Sequence, residues 1–395
     1  MKLTLAASDG DLLYLMLDDL DFYYRYNAKD GTNLDITFDT LGPFSVYLNG
    51  ELNYMELSEP SSLEAFSLLT EPEIAQLSTL NLHGSLAEEI IPILQAHESE
   101  LQGVGLVLEN GSPFPDLNEL LGVCGPKYLI LHNSNQLPEP GGETNFKGLE
   151  LLWIEENIHS LSKTVACCGD LESLIISGWE PLSGEIIPLS ALTMLSNLTL
   201  AESKLSSLEY IDFPETLQSL NLISCDTLSH MDRIRNLPKL WRLSLTACNK
   251  IAPMTLPANP ESLRWISLPE NITHQEFEKL CLGLPGVEVV EAIHCEGIED
   301  LLPLQQLEQL RILALQLEQE QLSGLDSLNQ LELLILTDDL FIDNSYWISE
   351  LRYSLPSTQV VPGSGLCLGS GWLLLLLPLI LVLHTAMRRK TQSGA

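Results

Sequence analysis

The chain has 395 residues, 45% of them apolar, with leucine dominating that fraction and aromatics held to 6%. A core drawn mainly from one aliphatic residue argues against a single irregular globule and for stacked repeats. The formal charge is −35, and residues 1–365 hold all 54 acidic but only 16 of the 19 basic residues, a net −38; a field of that sign repels phosphate backbones, so no nucleic acid is expected, and it steers a basic protein toward the chain. The same charge also keeps a leucine-rich array soluble.

Residues 1–50 contain no basic segment followed by an apolar one. Asp9, Asp11, Asp18, Asp19 and Asp21 interrupt every candidate run, so no secretory signal peptide is expected. Leu3-Thr4-Leu5, Leu34–Phe38 and Val46–Leu48 alternate like strands. The region is read as an N-terminal cap over the open end of the stacked repeats.

From residue 51 to 345 one pattern, L-x-x-L-x-L, recurs. It reads Leu77-Leu80-Leu82, Leu149-Leu152-Ile154, Leu195-Leu198-Leu200, Leu217-Leu220-Leu222 and Leu240-Leu243-Leu245, with degenerate copies such as Leu101-Val104-Leu106 and Val287-Val290-Ala292. The third apolar position falls at 57, 82, 106, 131, 154, 176, 200, 222, 245, 268, 292, 315 and 336, in steps of 21 to 25 residues. The central L-x-L is a short strand whose side chains alternate between faces. Its leucines enter a core that only neighbouring copies can close. Helical turns are expected at Glu73–Gln76, Ala87–Gln95 and Gln275–Leu282, while Pro188, Pro214, Pro238, Pro257 and Pro303 argue against long helices elsewhere.

These residues resemble the leucine-rich-repeat family over roughly residues 50–340. The resemblance implies an α/β repeat fold: a leucine-rich-repeat solenoid of about 13 repeats, with a curved parallel short-strand sheet and irregular or helical return legs. It also implies that the residue three past the third apolar position turns inward and bonds to loop backbone. Here that slot holds Ser85, Ser134, Asn157, Ser203, Cys225, Cys248, Asn271 and Cys295, while Glu109, Trp179, Glu318 and Asp339 depart from the pattern.

Residues between the core leucines are expected to line the outer, concave face. The candidates for partner binding are Asn81, His83, Tyr128, His132, Trp153, Glu155, Asn197, Asn221, Arg242, Ser244, Trp265 and Ser267, with Thr199 beside them. Trp153 and Trp265 are anchor types for a protein interface, or else aromatics that only cover neighbouring strands. No catalytic, cofactor-binding or metal residue is proposed and no cofactor is expected. The eight histidines form no H-x-x-x-H pair, the cysteines form no C-x-x-C, and no G-x-S-x-G, P-loop or dinucleotide fingerprint occurs. The chain is therefore not read as an enzyme. Cys225, Cys248 and Cys295 are read as reduced core groups, and Cys167-Cys168 as too close in sequence to bridge. Three N-x-S/T triplets, at Asn110, Asn197 and Asn271, are read as coincidence.

Residues 346–365 are read as a C-terminal cap and a Pro/Gly/Ser linker. Leu366–Met387 is then 22 residues without a charge, long enough at about 1.5 Å per residue to span a bilayer core of roughly 30 Å as a transmembrane helix. Residues 388–395 form a short tail opening with Arg388-Arg389-Lys390. The Gly/Ser, apolar, basic order is similar to bacterial C-terminal sorting signals of the GlyGly-CTERM type. The basic flank favours a cytoplasmic C-terminus, whereas the lack of a visible signal peptide favours cytoplasmic repeats, the reading preferred here. The functional expectation is a single-pass, membrane-anchored repeat protein that binds another protein through its concave face. The alternative is a bacterial effector whose tail enters a host membrane and whose repeats recruit a host protein.

The register itself is testable. Leu220→Asp places a carboxylate where the pattern demands a core leucine, and the expected cost exceeds about 4 kcal/mol. Thermal unfolding should show early loss of structure; a cooperatively folded variant with unchanged melting would refute the register.

Overall fold

The computed structural model describes residues 2–6, 12–17, 22–27, 33–39, 45–48, 51–83, 86–109, 117–132, 148–155, 168–181, 186–251, 255–257, 259–343 and 345–362. These residues divide into two compact units, one within 1–149 and one within 150–369. Among the described residues no helix is long and apolar enough to cross a membrane. The expected span 366–387 lies outside them, as do Ser85, Ser134 and Asn157.

The first unit begins with strands β1 (Lys2–Ala6), β2 (Leu12–Leu17), β3 (Phe22–Asn27), β4 (Asn33–Asp39) and β5 (Ser45–Leu48). β1, β4 and β5 are the three strands expected from alternation. β2 and β3, which form an antiparallel pair of their own, are not expected from it, because Leu12–Leu17 and Phe22–Tyr26 run largely apolar without alternating. β1 pairs antiparallel with β4, β4 with β5, and β5 with β6 (Glu51–Leu57). From β6 the pairing turns parallel, through β7 (Thr79–His83), β8 (Gly105–Glu109) and β9 (Tyr128–Leu131).

Return legs in this unit are helical: α1 (Pro60–Ser67), α2 (Glu71–Ile74), α3 (Ala87–Gln95), α4 (Glu98–Leu101) and α5 (Leu117–Cys124). Local chemistry starts them. Proline sits in the first turn of α1 and α2, where no amide is needed, and Thr70 closes a capping box with Glu73, whose carboxylate accepts from the Thr70 amide at 2.8 Å.

The second unit stacks ten parallel strands: β10 (Leu151–Glu155), β11 (Ser173–Ser177), β12 (Asn197–Ala201), β13 (Ser219–Ile223), β14 (Arg242–Ser244), β15 (Trp265–Ser267), β16 (Val289–Ile293), β17 (Ile312–Gln316), β18 (Leu333–Leu336) and β19 (Gln359–Pro362). One row of core residues runs through all of them: Leu152, Leu174, Leu198, Leu220, Leu243, Ile266, Val290, Leu313, Leu334 and Val360. None is more than 5% exposed, so the leucine register holds across the unit. This is leucine-rich-repeat architecture.

The legs here are mostly short 3-10 turns, at Leu189–Ala191, Leu208–Tyr210, Asp232–Asn236, Pro260–Ser262 and Leu302–Gln306. The longer helix α6 (His274–Gly283) forms where the capping box of Thr273 and Glu276 is followed by no proline until Pro285, past the helix end. After β18, helices α7 (Asp338–Asp343) and α8 (Ser345–Ser354) lead to β19, a further rung inside the segment read from sequence as cap and linker.

One rung needs correction. Leu82 pairs with Leu108, and Leu80 with Leu106, so the third apolar position in β8 is 108 and not 106. Two helices and the left-handed turn at Gly103 (φ 84°) lengthen that leg. A slip of two residues preserves the faces, which is why the sequence pattern conceals it. Glu109 therefore stands beside the rung rather than in the inward slot.

The inward slot otherwise behaves as the resemblance implies. The Cys225 and Cys248 thiols each point at a carbonyl of the preceding rung, Leu200 and Leu222, at 3.5 Å. Cys295 reaches Ile293 O at 3.4 Å, and Asn271 Nδ2 donates to Ile251 O at 2.9 Å. Trp179 fills its slot as a fully buried aromatic behind Gly178 (φ 70°). Glu318 is exposed, and Gln321 takes over the role, its Nε2 donating to Ile298 O at 2.6 Å. Cys124, Cys225, Cys248, Cys281 and Cys295 are free thiols. Burial pushes Cys124, Cys281 and Cys295 up to about 12, so none of these three is a thiolate at neutral pH.

The residue before the slot bends the chain out of the strand with positive φ: Glu202 at 49°, Ser224 at 52°, Ala247 at 56° and His294 at 54°. An L-residue there costs about 1–2 kcal/mol, partly offset by the chain entropy that glycine would add. Ala247→Gly should therefore raise stability by up to about 1 kcal/mol, while Ala201→Gly, within β12, should lower it by about as much. Chemical denaturation of the two variants checks the sign; destabilisation by both would mean the left-handed bend is not strained.

Candidate functional site

On the second unit's sheet, the residues between core leucines form two rows. The first runs Asn197, Ser219, Arg242, Trp265 and Val289; the second runs Thr199, Asn221, Ser244, Ser267 and Glu291. Each residue has its neighbours one strand spacing away, about 4.8 Å. A long side chain therefore reaches the next rung. The Arg242 guanidinium lies 4.2 Å from the centre of the Trp265 ring. Ser267 donates to the Glu291 carboxylate, which also feels Arg242 and the Trp265 indole. Asn221 Nδ2 donates to Thr199 Oγ1 at 3.1 Å.

Burial dominates the electrostatics of this cluster. It pushes the Glu291 carboxyl up, against the opposing pull of Ser267, Arg242 and Trp265. It also pulls Arg242 down to about 10, against the pull of Glu291. Arginine is still cationic at neutral pH, so the cluster holds a buried cation against an indole, beside a carboxyl group that burial pushes toward its protonated form.

The first unit builds a second polar cluster on the equivalent face. Asn81 Nδ2 donates to Tyr54 Oη at 2.9 Å and to Glu109 Oε1 at 3.2 Å. His83 Nε2 stands 3.4 Å from Glu56 Oε1. The Tyr128 ring lies flat across Gly105, where even a β-carbon would fall 1.7 Å from the ring. Its hydroxyl thereby reaches the Thr79 hydroxyl and, at 3.0 Å, the Ser78 carbonyl. Burial raises the Tyr54 phenol above the ordinary tyrosine range.

The expectation that residues between the leucines face outward therefore needs correction for most of them. Asn81, Tyr128, Trp153, Asn221, Arg242, Ser244, Trp265 and Ser267 are buried; His83, His132 and Glu155 are half-buried, and Asn197 is exposed. The physical reason is lateral: side chains such as Tyr128 and Arg242 lie across neighbouring rungs. Trp265 is fully buried and Trp153 nearly so, so the indoles cover strands and offer no exposed anchor. Sequence reading missed Glu291, Tyr54 and Glu109. Glu291 sits in a degenerate copy, Val287-Val290-Ala292, and its signal was a charge at a position that holds serine in the two preceding rungs.

No protein-family model and no curated protein matches the chain. Solved structures that it is similar to include an internalin from Listeria monocytogenes, InlF, at 19% identity, covering 75% of this chain and 92% of that one with a TM-score of 0.40. A leucine-rich-repeat protein from Leptospira interrogans is 16% identical, covers 76% and 94%, and scores 0.35. Listeria monocytogenes InlP is 14% identical, covers 63% and 65%, and scores 0.33. Scores this low carry no argument about function, and the fold assignment rests on the chain's own register. Among the described residues no group of three or more His, Cys, Asp or Glu is placed to hold a metal ion.

The buried cluster makes a double-variant prediction. Glu291→Ala removes the group that Ser267, Arg242 and Trp265 all feel and should lower stability by about 1–3 kcal/mol, whereas Arg242→Met together with Glu291→Leu should recover most of the loss. A raised folded-state carboxyl binds its proton more tightly than the unfolded chain does, near about 4.3. Relative to Glu291→Gln, the parent should gain stability as pH falls from neutral toward that value. Denaturant titrations at several pH values test both; a double variant as unstable as Glu291→Ala would break the pairing.

Proposed function

We propose that this chain is a repeat scaffold that binds a basic protein partner while residues 366–387 hold it at a membrane. The observation that carries the first half is charge left uncompensated. Residues 1–365 have a net −38, and four of the described basic side chains are spent locally: Lys204 on Glu180 at 3.3 Å, Arg235 on Asp232 at 3.6 Å, Arg264 on Glu288 at 3.5 Å and Arg311 on Glu332 at 3.8 Å. Such a field raises encounter rates with a cationic protein and suppresses anionic competitors. On the inter-leucine face, His83, His132, Glu155 and Asn197 are the candidates left accessible for contact.

The second half rests on the 22 uncharged residues and their basic flank. The repeats are assigned to the cytoplasmic side in this proposal. β1, β4 and β5, which extend the edge of β6, act as the cap of the first unit. The function is recognition and not catalysis.

Two measurements test this reading. Full-length chain should stay with membranes through carbonate washing, and a chain ending at residue 362 should be released; release of both removes the anchor. Captured proteins should be enriched in basic species and should elute between about 50 and 200 mM salt, where screening lengths fall toward about 8 Å. A bound set without charge bias would overturn the basic-partner assignment.

A further inference from the structure

Helix α8 has two sides that do different work. Ile348 and Leu351 are buried against the preceding repeat. Tyr346 and Tyr353, two turns apart and so on one face, are 75% and 90% exposed. Two phenol rings standing in water on a short helix are surface available for contact. Beside them, between α8 and the 3-10 turns at Gln319–Leu322 and Leu325–Ser327, lies a groove of about 440 Å³. Its floor includes Leu322, Leu325 and Leu351, and Trp347 forms one wall. Glu320, Asp326 and Glu350 stand at its edge, and no lysine, arginine or histidine lines it. The helix's own arginine is committed elsewhere: Arg352 Nη2 donates to Val360 O at 3.0 Å and its guanidinium lies 5.7 Å from the Phe341 ring.

We propose that this groove docks an arginine- or lysine-bearing segment of a partner protein, with the alkyl stem on the leucine floor and the cationic head between Trp347 and the carboxylates. The proposal rests on the basic-partner reading above and gives it an address. The chemistry selects the occupant. Leucines and an indole accept the methylenes of a long side chain, which then keeps its charge at the rim. The ring face and three carboxylates favour a cation, and no basic residue lining the groove competes for them, Glu350 being engaged locally by the Tyr346 hydroxyl. An acidic or phosphorylated segment would meet only like charge here. Tyr346 and Tyr353 extend the contact along the helix, two rigid rings with polar tips that suit a peptide lying across the face.

The test uses the full-length protein in detergent micelles and a fluorescein-labelled peptide of alternating glycine and arginine, read by anisotropy at low and physiological salt. Glu320→Gln with Glu350→Gln should weaken binding at least fivefold. Tyr346→Ser with Tyr353→Ser should do the same without any change in net charge. Both pairs are exposed, and unchanged melting temperatures confirm that folding is kept. Glu209→Gln with Glu215→Gln, an exposed pair on other legs, is the charge-matched control and should change affinity less than twofold. Equal weakening by the two glutamine pairs, with no effect of the tyrosine pair, would show that binding follows net charge and would overturn the groove while leaving a basic partner standing. No binding by the parent chain would overturn both. A matching glycine–glutamate peptide should not bind; comparable affinity for it would refute the selection of a cation.

Discussion

In the second unit, each leucine of the strand row is buried largely against its counterparts in the neighbouring rungs. Burying such a side chain fully is worth about 1.5–3 kcal/mol, and the row from Leu152 to Val360 collects that gain at every strand because its members meet edge to edge. Everything else in the second unit is arranged so that this row stays in register. The legs are short, proline blocks competing helices, and the inward slot gives loop carbonyls a donor where no water reaches.

Strict alternation has a consequence on the other face. Once leucines occupy one side of each strand, the residues between them are also forced into rows. Polar groups that are distant in sequence then become neighbours at strand spacing. That is how Arg242 comes to stack on Trp265 and how Glu291, nearly fifty residues later, completes the cluster. It is also how Tyr128 comes to lie over Gly105. Buried polar groups are costly unless paired, and the bonds from Asn81 to Tyr54, Asn221 to Thr199 and Ser267 to Glu291 supply part of that pairing. The acidic character of the chain is expressed away from these clusters, on the legs and rims.

Leucine spacing, the inward slot and the proline-limited legs are all legible in the residue order, because each is a local rule with a fixed period. The slip of two residues at β8 is not, since a shift by an even number leaves the same side chains inward. The pair β2–β3 escapes because a run without alternation does not announce a strand. Of the candidate face, the positions are legible but their exposure is not. Periodicity tells which side of a strand a residue takes, and says nothing about whether its neighbours lie over it.

The sequence by itself thus determined the repeat, its period, the acidic field, and an uncharged 22-residue segment near its end. Those properties follow from which residues stand at which intervals, and need no knowledge of three-dimensional neighbours. Only the tertiary structure decided that Trp265 is a buried partner of Arg242 and Glu291, that Gln359–Pro362 adds a rung, and that α8 turns two tyrosines to solvent beside a groove. Each depends on contacts between residues far apart in the chain. Such contacts are set by how rungs and legs pack, and packing is a property of the assembled stack rather than of any one repeat.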